Sequence, residues 1–177
     1  MELPTLQTER LLLRPFTMED AKDVQRLAGE KAVSDTALNI PYPYEDGIAE
    51  NWIKGHKQNF VLNKELVLAI TDKEKKHLIG AIGIIINKGN DNGALGYWIG
   101  VPFWNKGYCT EAGKAIVEYA FNTLKLHRIH ASYFPSNPAS GKVMLKIGMK
   151  KEGHLQEHVK KGNEYKDVII CGILRTI

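Results

Sequence analysis

Cysteine is scarce in this chain, long apolar runs are missing, and neither charge sign dominates. Its 177 residues hold two cysteines, Cys109 and Cys171, which lack both the close spacing of a metal clip and the density of a disulfide scaffold, so both read as free thiols and no metal is expected. The longest apolar stretch, Leu78 to Ile86, is broken by Gly80 and Gly83. It falls short of the roughly 18–20 residues that span a bilayer, so no membrane partner is expected. Residues Met1 to Thr5 contain no basic segment and no apolar run with a cleavage site, which argues against export and makes the cytoplasm the default location. The formal charge is only +4, and the lysines are scattered apart from short clusters at Lys73 to Lys76 and Lys150 to Lys161. A nucleic-acid surface needs a concentrated basic stripe, so no nucleic-acid partner is expected either. An RNA-associated module would draw on the net charge, but it lacks clustered Arg and aromatics at regular spacing.

What remains is an ordinary globular composition, 44% hydrophobic and 25% charged, at a length that suits one domain over residues 1–177. Arg10 to Arg14 alternates as a strand that Pro15 ends. Thr17 and Asp20 have capping-box spacing ahead of a helix whose buried face is Ala21, Val24 and Leu27. The prolines of Ile40 to Tyr44 mark a loop, and a second helix follows with the stripe Ile48, Trp52, Ile53 and Phe60. Leu66 to Thr71, Leu78 to Ile86 and Ala94 to Gly100 read as three strands in a meander, separated by short polar breaks. Glu111 to Leu124 is strongly helical and Arg128 to Phe134 alternates, which implies a parallel pair joined by a crossover helix. Asn137-Pro138 caps a further helix that Gly148 closes, and Lys150 to His158 and Tyr165 to Leu174 supply two last strands. The order β-α-α-β-β-β-α-β-α-β-β predicts an α/β (α+β) architecture: a mixed, mostly antiparallel twisted sheet of about seven strands with helices on both faces.

The stretch from Trp98 to Ala112 passes from strand through a short loop into a helix. N–H groups of a first helical turn lack internal partners and carry the positive end of the helix dipole, so such a junction can hold an anion. Gly107 allows close backbone approach, and the small Cys109 keeps the next turn open. A Walker loop would need a second glycine followed by Lys and Ser or Thr, and the dinucleotide fingerprint needs three spaced glycines; neither pattern is present.

Three blocks resemble the GNAT superfamily of N-acetyltransferases, in its ribosomal-protein N-terminal acetyltransferase (RimJ/RimL-like) branch: Thr8 to Pro15, Gly96 to Ala112, and Asn137 to Gly153. The resemblance implies the GNAT fold and an enzyme that moves an acetyl group from acetyl-CoA, as co-substrate, to an amine. The acceptor would be a small molecule or a protein N-terminus, and a homodimer is left open. In the family's loop pattern Trp104 stands where Gln or Arg is usual, Gly107 matches, and Cys109 stands where Gly or Ala is usual. Pyrophosphate would be held chiefly by main-chain N–H groups of Asn105, Lys106, Gly107, Tyr108, Cys109 and Thr110. Tyr97, Trp98 and Ile99 would bond the pantetheine arm and offer an oxyanion donor, a type of group whose loss costs about 2.7–4 kcal/mol.

The resemblance also nominates Asn137 as a side-chain contact to that arm, beside its role as helix N-cap. Many members protonate the departing thiolate with a tyrosine seven residues after this asparagine, where Met144 stands here. In the ribosomal-protein branch a serine three residues after it is proposed, and Ser140 fits, either as that acid or as a first-turn serine bonded to its own helix. The glutamate expected on the penultimate strand is replaced by Val159, which leaves Glu157 and His158 as candidates acting through water, or as exposed strand residues. Lys142 and Lys146 could meet the 3′-phosphate. Glu45, Asp46 and Glu50 could attract a cationic amine, or serve as first-turn acids. An α-amine titrates near 7.7–8.0 and a lysine-type amine near 10.4, so a site poor in bases favours the former. Two rival readings are a nucleophilic Cys109 and a non-catalytic acyl-CoA-binding protein that has lost turnover.

Overall fold

The computed structural model describes residues 2–176. Its strands are β1 (Leu6–Gln7), β2 (Leu11–Arg14), β3 (Glu65–Asp72), β4 (Leu78–Asn87), β5 (Asn92–Ile99), β6 (Arg128–Tyr133), β7 (Lys150–Lys161) and β8 (Glu164–Leu174). Its helices are α1 (Ala21–Ala28), α2 (Lys31–Thr36), α3 (Ile48–Lys54), α4 (His56–Val61), α5 (Tyr108–Asn122) and α6 (Pro138–Lys146). All eight strands form one sheet in the order β1-β2-β3-β4-β5-β6-β8-β7, and β5–β6 is its parallel pair.

The eighth strand corrects the expected seven. Leu6 and Gln7 pair with Leu13 and Leu12 across a tight turn in which the Thr8 N–H donates to the Leu11 carbonyl at 3.0 Å. Two residues carry no readable periodicity, so tertiary pairing alone reveals this strand. The two helices expected between β2 and β3 are four, because glycines divide them. Gly29 closes α1, and Gly55 ends α3 and begins α4. Glycine costs about 1 kcal/mol inside a helix relative to alanine, and a bend there is the cheaper course. The capping box forms as expected, with the Thr17 N–H donating to Asp20 at 2.8 Å, although it heads a short 3-10 turn before α1. Asp20 also receives both nitrogens of Arg14 at 2.8 Å, which ties the strand end to the helix start.

Hydrophobic cores lie on both faces of the sheet. On one, Leu66, Leu68 and Ile70 of β3 meet Ile116 and Ala120 of α5; on the other, Ala69 and Leu78 meet Val24 and Leu27 of α1 and Ile53 of α3. Burial on both sides explains why the central strands read as continuous apolar runs.

The feature that positions the site is a fork in the sheet. β5 and β6 pair only at Asn92↔Arg128, Gly93↔Ile129 and Ala94↔His130 and then part. On its other edge β5 stays bonded to β4 through Ile99↔Gly80, and the Gly100 N–H reaches the Ile79 carbonyl at 2.9 Å. Hydrogen-bonding direction alternates along a strand, so the peptide groups of Trp98 and Gly96 also face β4. Those of Leu95, Tyr97 and Ile99 face the opening.

Candidate active site

The chain leaves β5 at Ile99, makes a short 3-10 turn and enters α5 at Tyr108. Two residues of this loop have left-handed backbones, Asn105 at φ 60° and Gly107 at φ 79°. Glycine takes that conformation freely and asparagine tolerates it. Such turns curl successive N–H groups into an anion-binding concavity. The first backbone bond into α5 runs from the Glu111 N–H to the Gly107 carbonyl at 3.1 Å. Among the described residues, no protein oxygen accepts from the N–H groups of Asn105, Lys106, Gly107, Tyr108, Cys109 or Thr110.

A clasp from the N-terminal strand holds this loop. Glu111 accepts from Thr8 Oγ1 at 2.6 Å and from the Arg10 N–H and Nε at 2.8 Å each. Arg10 Nη1 donates to the Lys106 carbonyl at 3.0 Å, and its guanidinium lies 4.6 Å from the centre of the Tyr108 ring. Burial works to raise the Glu111 pKa, but the bonds from Thr8 and Arg10 hold it below the ordinary range. The one acid in the first turn is therefore neutralised by its partner, and the helix end keeps its affinity for anions.

The opening between β5 and β6 continues into a cavity of about 630 Å³. Tyr97, Trp98, Ile99, Trp104, Asn105, Cys109, Asn137 and Ser140 all line it. Trp104 donates its indole N–H to the Ile99 carbonyl at 2.7 Å, so this departure from the usual Gln or Arg closes off one acceptor at the fork. Trp98 turns its peptide groups away and contributes its side chain, not its backbone. Asn137 caps α6, its Oδ1 accepting the Ser140 N–H at 3.3 Å. Ser140 is buried, and its Oγ lies 2.7 Å from the Tyr97 hydroxyl, which also reaches the Ser140 carbonyl at 3.2 Å. Burial and the neighbouring Cys109 push the Tyr97 phenol up, and the bond to Ser140 pulls it down less strongly, so it stays protonated. Met144, at the family's tyrosine position, is a core residue. A phenol reaches Ser140 instead from β5, a juxtaposition that sequence spacing does not reveal.

One expectation needs correction, and two rival readings give way. Burial pushes the Cys109 thiol up to about 12, which removes the thiolate a nucleophile requires. Glu157 and His158 do not reach the cavity. A bulge between Leu155 and Val159 sets three residues of β7 against Asp167 alone, Glu157 takes φ 45°, and its N–H donates to Asp167 at 2.8 Å. That bulge breaks the alternation that would have put Glu157 and Val159 on one face, and Val159 is the one that lines the cavity. Glu45, Asp46 and Glu50 do not line it either; Asp46 accepts from Gln25 Nε2 at 2.7 Å. Lys142 and Lys146 are exposed on α6.

A forked sheet, with N–H groups unbonded among the described residues at the start of the following helix, defines a protein with an anion-ready loop beside an open strand edge. Residues 10–150 match the family model described as the acetyltransferase (GNAT) domain. An uncharacterized N-acetyltransferase, YnaD of Bacillus subtilis, is 32% identical over 169 residues, 96% of each chain. The [Ribosomal protein uS5]-alanine N-acetyltransferase of Escherichia coli is 28% identical over 120 residues, covering 67% of this chain and 60% of that protein. Among solved structures, RimL, a ribosomal-protein α-N-acetyltransferase in complex with coenzyme A, superposes with a TM-score of 0.88 over 97% of this chain and 98% of that one; at 15% identity the likeness concerns the fold. The chain belongs to the GNAT family of acetyltransferases, is an N-acetyltransferase, and uses acetyl-CoA. The described residues fit that co-substrate: free N–H groups for its pyrophosphate, and an open strand edge for its amide-bearing arm. No helix among them is long and apolar enough to cross a membrane.

Proposed function

We propose that this protein transfers the acetyl group of acetyl-CoA directly to a primary amine, without a covalent acetyl-protein stage. The fork between β5 and β6 carries the proposal, because it leads from the pyrophosphate loop to Ser140 and Tyr97 with no thiolate or other activated nucleophile beside it. In this reading the inward N–H of Tyr97 or Ile99 donates to the thioester oxygen, where negative charge grows as the amine nitrogen bonds to the carbonyl carbon. As the C–S bond breaks, the Ser140 hydroxyl gives its proton to sulfur and is resupplied through the Tyr97 hydroxyl 2.7 Å away. The proton lost by nitrogen leaves to water. Glu157 and His158 take no part in this reading, since both are exposed and neither lines the cavity. Asn137 steadies the arm from the start of α6, and its cap bond holds Ser140 in place.

The test is thiol release from acetyl-CoA in the presence of amines, with calorimetry of acetyl-CoA binding alongside. Amine-dependent release with one acetyl-amine formed per thiol supports the reading. Acetyl transfer that labels the protein before the amine is added would overturn direct attack.

A further inference from the structure

The acceptor side of the cavity lies on the sheet face away from α5, and its walls limit what can enter. Its floor is a cross-strand glycine pair, Gly83↔Gly96. A Cβ at Gly83 would meet the Leu66 carbonyl oxygen at 2.6 Å, so that position is closed by backbone. A Cβ at Gly96 would meet nothing within 4 Å and would project into free space. Around this floor stand Trp98, Trp52, Tyr44, Val67 and Val159, while Leu38 and Ile40 of the α2–α3 connection form a roof. The roof is fastened. Lys161 of β7 donates to the carbonyls of Ser34 and Ala37, and the Ser34 hydroxyl donates to the Ile40 carbonyl at 2.8 Å. Among the described residues that line the cavity, Glu65 is the one carboxylate, and no lysine, arginine or histidine stands beside it; it already accepts from Asn59 Nδ2 at 3.3 Å.

We infer that the acceptor is a monoamine on an aromatic or branched aliphatic body, seated on Gly96 against Trp98 and Val159, with Glu65 as its single ionic contact. The inference rests on the transferase reading above. A polyamine brings several ammonium groups, and one carboxylate can answer only one; each further charge would be stripped of water against apolar walls. An apolar body gains from the same walls what a polyamine loses. The lack of a basic side chain at the cavity also favours an amine that is partly neutral on arrival, such as the α-amine of a hydrophobic amino-acid amide.

The experiment compares kcat/KM for leucinamide, phenethylamine and spermidine, and repeats the first two with Gly96→Val. Both apolar amines should exceed spermidine by at least about 100-fold, the lower end expected from one buried charge left unpaired. Gly96→Val should cut their kcat/KM by about tenfold or more through overfilling, with the dissociation constant for acetyl-CoA unchanged. Spermidine turned over as well as the apolar amines, or an unaltered Gly96→Val, would overturn the inference. So would a protein that binds acetyl-CoA yet acetylates none of the three. A protein that fails to bind acetyl-CoA by calorimetry would instead bring down the reading beneath.

Discussion

The two walls of the cleft are built from different materials. The wall proposed for the cofactor is main chain: N–H groups from Asn105 to Thr110 that are unbonded among the described residues, and the open edge of β5 at Tyr97 and Ile99. The acceptor wall is side chain, gathered from the α2–α3 connection, α3, β3, β5 and β7. A main-chain site survives side-chain replacement as long as its dihedral angles are kept, and on the proposed reading that accommodates the departures at Trp104 and Cys109 from the family pattern. A side-chain site changes with every substitution, and relatives sharing the first wall can differ wholly in the second.

The largest expected effect that would break this contrast lies where the walls meet. Ser140→Ala should lower kcat on the order of 100-fold, the lower end for general acid catalysis, while acetyl-CoA affinity stays within about threefold. Because Tyr97 acts through Ser140, adding Tyr97→Phe to that variant should cost little more than Ser140→Ala alone. Steady-state kinetics with calorimetry on the three variants decides; full activity of Ser140→Ala would remove the proposed acid.

Of similar size is a pH effect on stability centred on His56, which packs against Trp52 of the cavity wall. His56 is 4% exposed, packed against Phe16 and Trp52, and among the described residues neither ring nitrogen has a partner. Burial depresses its pKa from 6.5 to about 4. Between those values the unfolded chain takes up a proton that the native one refuses, so stability is complete above pH 6.5 and falls as pH drops towards 4. The loss should approach about 3 kcal/mol. Urea unfolding at pH 7 and pH 4.5 measures it, and His56→Leu should flatten the dependence. An equal slope in the variant would assign the effect elsewhere.

The smallest pair sharpens the contrast on the cofactor side. Gly107→Ala forces a side chain into the left-handed region and should weaken acetyl-CoA binding by about tenfold, from a strain of about 1–2 kcal/mol. Cys109→Ala leaves the backbone untouched and should stay within about threefold, since no net hydrogen bond is lost. Calorimetry reads both. The reverse ranking would mean that side chains grip the diphosphate after all.

The same contrast explains what the sequence disclosed. The order of seven strands followed from continuous apolar runs at the doubly buried centre and from alternation nearer the edges, and the helices from their 3.6-residue stripes, though not their division at Gly29 and Gly55. The strand-to-helix junction itself was legible because left-handed Gly107 and the start of α5 are local events. The acceptor wall was not. Glu65 looks like any acid at the start of a strand, and only the fold brings it to the cavity. Tyr97 and Ser140 are joined across 43 positions. The bulge at Glu157 lies in His154 to His158, a mainly polar stretch with too little alternation to betray a slip.

The fork also has a mechanical meaning. Past Ala94 the sheet is a zipper left undone, with β1 to β5 on one flap and β6, β8 and β7 on the other. Whatever slides between them with amides at strand spacing fastens both sides at once, so loading the donor should stiffen the distant hairpin of β7 and β8 as well as fill its own slot.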